Sequence, residues 1–237
     1  MRYLTALAPF ALIAAACTPA AEAPADTGAD GYDMAASRDT FATVEMTPDT
    51  SYLSAEERQV VGKLIEASRL MSEIYLRQRN PQNPAIRAEI AAGGDADLLA
   101  MFDRNFGPWD EGADLHPFYG TTAMPDGAGF WPADLTREEL DEYLAAHPEQ
   151  REEILSPYTV VKREGENLVA VPYSVEYREF LEPAARLLRE ASEITTNPSL
   201  RRFLALRADS FLSDNYFDSE MAWMDLSGTP IEVAIGP

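Results

Sequence analysis

One cysteine, two histidines and two lysines are all that this chain of 237 residues holds of those types. With Cys17 alone, structural disulfides and cysteine-ligated zinc are excluded. A zinc peptidase helix needs two histidines on one face with a glutamate base between them. His116 and His147 sit in separate segments, one in an aromatic-rich loop and one before Pro148 at a helix end. Those loop and cap roles are favoured over a metal site built from both with a carboxylate. No GxSxG elbow, no GxGxxG after a strand and no P-loop is present. Basic charge is scarce as well: 19 Lys and Arg face 40 Asp and Glu, a net charge of −21. A surface for nucleic-acid phosphates must be basic, so nucleic acid is excluded as a partner.

What is present begins at the N-terminus. Met1-Arg2 is a positive start, and Leu4 to Ala16 is apolar but too short to span a bilayer as a permanent helix. It ends IAAAC at Cys17, the pattern of a bacterial lipoprotein signal. Small residues fit the signal peptidase and the thiol takes a diacylglycerol. Ala14 stands where leucine is usual. The plainer alternative is a secretory signal cut near Ala16 with Cys17 incidental. Lipidation would place the protein at the cell envelope, exported to the periplasm and held on a membrane, with outer-membrane sorting permitted by Thr18. Two or more acyl chains anchor stably.

The chain divides into a signal peptide at 1–17, a tether at 18–50 and a folded part at 51–237. The tether is rich in Ala, Pro, Thr and Asp without an apolar period, and about 33 such residues reach roughly 30 Å. Ser54 and Glu57 form a capping box ahead of Val60, Val61, Leu64, Ile65, Met71, Ile74 and Tyr75 at helical spacing, a helix to Arg79. Asn83-Pro84 opens a second helix with Asn as its cap. Gly93-Gly94 interrupts it, and Asp95 caps its continuation. Residues 106–132 form an ordered loop rich in Gly, Pro and rings. There Trp109, Phe118, Tyr119, Phe130 and Trp131 read as a satellite core in preference to a pocket.

Thr136 and Glu139 are a second capping box, for a helix to Ala146. Residues 158–173 read as a hairpin turning at Glu164-Gly165-Glu166-Asn167. A long helix over 175–195 contains Pro183 and is expected to kink there. Asn197-Pro198 starts another amphipathic helix. The last ten residues, GTPIEVAIGP, alternate with Ile231, Val233 and Ile235 on one face, which predicts a half-buried strand. Glu232 points from its other face, to water on a surface or to a ligand's positive charge in a cleft. The fold class is mainly α with small β elements: a helical lobe, a β-hairpin and a C-terminal strand.

The stretches ALRADSFLSDNYFDSEMAWMDLSGTPIEVAIGP, YLSAEERQVVGKLIEASRLMSEIYLRQ, NFGPWD and VPYSVEYREFLEPAARLLREASEITTNPSLRRFL resemble the bacterial branch of the dipeptidyl-peptidase III family, zinc metallopeptidases. The resemblance covers about 54–237. It implies a lobe incomplete relative to the family's two-domain fold, with the chain ending inside the substrate cleft. It also implies that Glu232 binds the free α-ammonium of a peptide. A tyrosine that contacts substrate in better-known members is Ala234 here. The zinc-binding motif has no counterpart, so no cofactor is expected in this chain, zinc is expected in the full-length member, and the chain alone is expected to be inactive. The competing reading is a stand-alone periplasmic lipoprotein that acts as a peptide-binding or interaction module.

Overall fold

The computed structural model describes residues 32–237. Cys17 and the signal segment lie outside the described residues, as does the first part of the tether. Three long helices build the main layer: α2 (Ala55–Arg79), α8 (Arg178–Ile194) and α9 (Pro198–Ser213). Helix α8 lies between the other two. Its buried residues Leu181, Ala184, Ala185, Leu188 and Ala191 repeat every three or four positions, the spacing of a core-facing stripe. The alanines let its neighbours approach closely. They bring Val60, Leu64 and Ile74 of α2 and Phe203, Leu204 and Phe211 of α9 into the same core. Each fully buried large side chain contributes roughly 1.5–3 kcal/mol.

The helix starts follow their caps. Ser54 accepts from the Glu57 N–H and the Glu57 carboxylate accepts in return from the Ser54 N–H, a complete capping box. Asn197 accepts from the Leu200 N–H, with Pro198 in the first turn. Asp95 accepts from the Asp97 and Leu98 N–H groups and opens α4 (Ala96–Asn105).

Two starts differ from expectation. Helix α3 (Asn83–Gly93) begins with Asn83 inside it and Gln82 at the cap. Asn83 is fully buried, and its amide donates to the Leu76 and Phe106 carbonyls, tying the ends of α2 and α4 together. At α5 (Arg137–Ala146) Thr136 caps the Glu139 N–H. The Glu139 carboxylate, though, makes a two-bond pair with Arg163 of the hairpin at 2.7 and 3.1 Å. A charged bidentate partner is stronger than a return bond to a solvated N–H.

The hairpin pairs β3 (Thr159–Glu164) with β4 (Asn167–Pro172). Gly165 takes a positive φ of 64° at the turn. Val161 and Leu168 pack with Leu140 and Leu144 of α5 and Ile154 of α6 (Arg151–Ile154) as a second core. The expected long helix over 175–195 is broken: α7 (Tyr173–Glu176) stops and α8 restarts after Tyr177, leaving Pro183 inside α8. Asp214 ends α9 in the left-handed region, and its carboxylate accepts from the Ser174 N–H and hydroxyl of α7. Helix α10 (Phe217–Met224) then packs on α9.

The loop at 106–132 is ordered, as expected, and contains a two-residue ladder of β1 (Trp109–Asp110) with β2 (His116–Pro117). Its rings do not form one cluster. Phe118 and Tyr119 pack on a third core of Leu76, Ile90 and Phe102, Phe130 joins the main core, and Trp131 joins the hairpin core. Gly129 fastens the loop to α2. Its N–H donates to the Gln78 carbonyl at 2.7 Å. A β-carbon there would lie 2.2 Å from the Arg77 carbonyl oxygen, so only glycine fits.

Part of the stretch read as tether also has structure. Residues 34–39 form α1 (Met34–Asp39), and the segment docks on this loop. Tyr32 stacks on His116 at 4.3 Å, and Arg104 lies 4.1 Å over Phe41.

Residues 229–237 correct the expected C-terminal strand. They are not a strand, because among the described residues no second segment pairs with them. The alternation itself holds: Ile231 and Ile235 are buried in the main core, Val233 packs against it, and Glu232 and Ala234 are exposed. Period two reports which side chains face the core. It cannot report whether a neighbour supplies the ladder.

Candidate functional site

The segment carrying Glu232 is fixed from below. Ile231 and Ile235 insert into the core at either end. Upstream, the Asn197 side chain donates to the Ser227 and Gly228 carbonyls at 3.0 and 2.8 Å, and the Ser199 hydroxyl reaches Ser227 as well. Backbone held at both ends sends the intervening Glu232 outward. There it lines a cavity of about 300 Å³ with Tyr52, Ile65, Ser68 and Val233. Ile65 is half exposed although it belongs to the apolar stripe of α2. The stripe is therefore wider than the core requires, and its excess forms the cavity wall. The Ser68 hydroxyl donates to the Leu64 carbonyl within its own helix, so it leaves Glu232 unbonded. Glu232 makes no hydrogen bond or ion pair among the described residues, whereas Glu139, Glu190 and Glu220 are each paired with a cation.

Asp110 is the opposite kind of acid. It is fully buried and accepts from the Tyr32 hydroxyl at 2.7 Å, the Gly112 N–H at 2.9 Å and the Ser37 hydroxyl. Burial works against its charge, but the bonds from Ser37, Tyr32 and Gly112 outweigh that and hold the carboxyl below its usual range. Tyr32 is pushed up to about 12 by burial and by its bond to this carboxylate. With three donors of its own fold on the carboxylate, Asp110 is a structural anchor. Nothing in the sequence around it announced this.

The two histidines do not come together at a metal site. His116 is in β2 under Tyr32, and His147 ends α5, its ring tilted against that of Tyr143 at 4.4 Å and its Nδ1 3.6 Å from Glu149. Among the described residues no group of three or more His, Cys, Asp or Glu side chains is arranged to hold a metal ion. Nor does any described helix have the length and apolarity to cross a membrane.

Two solved structures share this architecture. The chain superposes on dipeptidyl-peptidase III from Caldithrix abyssi with a TM-score of 0.82 and 43% identity, over 86% of this chain and 39% of that one. On dipeptidyl-peptidase III from Corallococcus sp. strain EGB the TM-score is 0.77 with 33% identity, over 82% and 37%. This is part of a dipeptidyl-peptidase III-like fold. Among curated proteins the dipeptidyl-peptidase III-like chain is 25% identical over 252 residues to Nudix hydrolase 3 of Arabidopsis thaliana, covering 83% of this chain and 32% of that protein. No protein-family model matches it. The chain thus spans about a third to two-fifths of the length of the proteins it is similar to. In this dipeptidyl-peptidase III-like lobe the exposed faces of α2 and of residues 229–237 together form the floor on which Glu232 stands.

Proposed function

We propose that this lobe forms part of the substrate cleft of a dipeptidyl-peptidase III-like zinc hydrolase and that Glu232 receives the free α-ammonium of a bound peptide. The observation that carries this reading is an unpaired carboxylate on a segment anchored by Ile231 and Ile235, beside a cavity of about 300 Å³. An ammonium is the complementary charge. The two dipeptidyl-peptidase III structures it resembles support a peptide as its carrier. The described residues do not fit a zinc site, since no suitable ligand group is assembled among them. This chain's part is therefore binding and orientation of the peptide end, and on its own it should not hydrolyse peptides.

Glu232 is exposed, so the ion pair is screened and is expected to contribute at most about 1 kcal/mol, a several-fold change in affinity. The test is calorimetric titration with trialanine and with N-acetyl-trialanine. Trialanine should bind several-fold more tightly, and Glu232→Gln should abolish that preference. A preference that survives Glu232→Gln, or none in the wild type, would remove Glu232 from the site.

The reading includes an envelope location. Cys17 carries the lipid and the tether positions the lobe near the membrane. Cys17→Ser should move the protein from the membrane fraction to the soluble fraction. A variant that stays in the membrane with an unchanged acyl mass would defeat the anchor.

A further inference from the structure

The N-terminal chain joins the folded part at the wall of the Glu232 cavity. Tyr52 and Leu53 line that cavity together with Val61, Ile65 and Ser68 of α2. Tyr52 stays largely exposed there. A tether that left the fold at Ser51 would cross the cavity mouth, and whatever held its far end would lie nearby.

The chain takes another course. Residues 39–52 are exposed, and the segment before them is fastened at the opposite end of α2. Tyr32 and Ser37 donate to Asp110, Tyr32 stacks on His116, and Phe41 lies against the Arg104 guanidinium. This dock is joined to the last residue of α2, because Glu111 pairs with Arg79 at 3.0 Å. The cavity-wall residues Val61 to Ser68 precede Arg79 by about 16–27 Å of helix, at 1.5 Å per residue. Extended chain from Phe41 to Tyr52 covers up to about 40 Å, so the bridge is long enough. Asp110 gives the dock its selectivity. A buried carboxylate needs donors, and two of the three it has come from this segment.

We propose that residues 32–41 are a strap that moves the exit of the N-terminal chain from the mouth of the Glu232 cavity to the far end of α2. Its consequence for a membrane rests on the anchoring at Cys17 proposed above. With the strap docked, residues 18–31 reach at most about 50 Å, against about 120 Å for 18–50 without it. The bilayer is then held on the side of the loop at 106–132, and the cavity stays clear of it. The strap itself requires neither a lipid nor a ligand on Glu232.

Cys17 is the single thiol of the chain, so a nitroxide attached to it reports where the N-terminal chain lies. The readout is the broadening of backbone amide signals in the full-length 15N-labelled protein, in solution. Amides of residues 110–116 should be broadened more than those of 61–68 and 231–233. In the double variant Tyr32→Ala with Ser37→Ala, most of the broadening at 110–116 should be lost. Unmoved amide signals of α8 and α9 would show that the variant is folded. Broadening in the wild type that is equal at the two ends of α2, that is stronger at 61–68 and 231–233, or that the double substitution leaves unchanged would overturn the proposal. A failure of lipidation at Cys17, or of ammonium binding at Glu232, would leave these outcomes as they are.

Discussion

Asp110 and Glu232 lie in extended chain beside a buried apolar residue, Trp109 in one case and Ile231 in the other. The molecule treats them oppositely. Asp110 is enclosed and bonded to three donors drawn from the loop and from the docked N-terminal segment. Glu232 has a backbone as firmly held, yet its carboxylate meets none. An acid whose lone pairs are filled by its own fold contributes stability and has little left for a ligand. An acid on a fixed backbone with nothing opposite it contributes little stability and is free to bind. Substitutions at the two positions should therefore separate cleanly into fold and ligand effects.

Asp110→Ala tests the first half and has the largest expected effect. It strands the Gly112 N–H and unties Tyr32 and Ser37. Bonds to a charged acceptor are each worth about 1.5–3 kcal/mol, and the tyrosine and serine can turn to water once freed. A net loss of about 2–3 kcal/mol is expected in urea unfolding, with faster proteolysis in the stretch 32–50. An unfolding curve that matches the wild type would break the comparison.

The pH dependence sharpens the same point. The folded-state pKa of Asp110 is depressed, so the unfolded chain takes up the proton first as pH falls. Its contribution is fully present above the unfolded value of about 3.9 and is lost as pH drops through the lower folded value. The stability gap between wild type and Asp110→Asn should therefore stay constant from pH 7 to 5 and close below about pH 4. A gap that closes near neutrality would assign the effect to another group.

Tyr32→Phe should have a smaller effect. It leaves the stack on His116 and removes one bond to Asp110. About 1 kcal/mol is expected, read from the same urea midpoints. A loss as large as that of Asp110→Ala would mean that the segment at 32–41 is held at Tyr32 alone.

How much of this was legible in the sequence depends on distance along the chain. The caps at Ser54, Asp95 and Asn197 were readable because donor and acceptor lie within three residues. So were the stripe of α8 and the alternation of Ile231, Val233 and Ile235, which repeat locally. Asn83 looked like a cap for the same local reason, but the carbonyl of Phe106 lies 23 residues away and claimed its amide. The Glu139 carboxylate was likewise taken by Arg163, 24 residues on. Asp110 was invisible because its partners Tyr32 and Ser37 lie 78 and 73 residues upstream. A terminal strand is not legible in residues 229–237 alone, because pairing is a property of two segments. Of the candidate site, Glu232 could be picked out by its place between core-facing residues. The cavity beside it required Ile65 to remain exposed, which no helical period can say.

Glu232→Gln is the smallest expected change in the fold and the most informative for the comparison. The carboxylate has no partner to lose, and glutamine has nearly the same shape. Its urea midpoint should stay within about 0.5 kcal/mol of the wild type, the range for surface substitutions away from special contacts. If the variant is instead destabilised by as much as Tyr32→Phe, Glu232 is held by the fold after all and the contrast with Asp110 fails. If it is stabilised, the cause is electrostatic: removing one charge from a chain of net −21 relieves self-repulsion. That gain should vanish in high salt, where exposed charges are screened beyond a few ångströms. A gain that persists in high salt would mean that the carboxylate was strained in place by its immediate surroundings, as expected of a group held ready for a ligand.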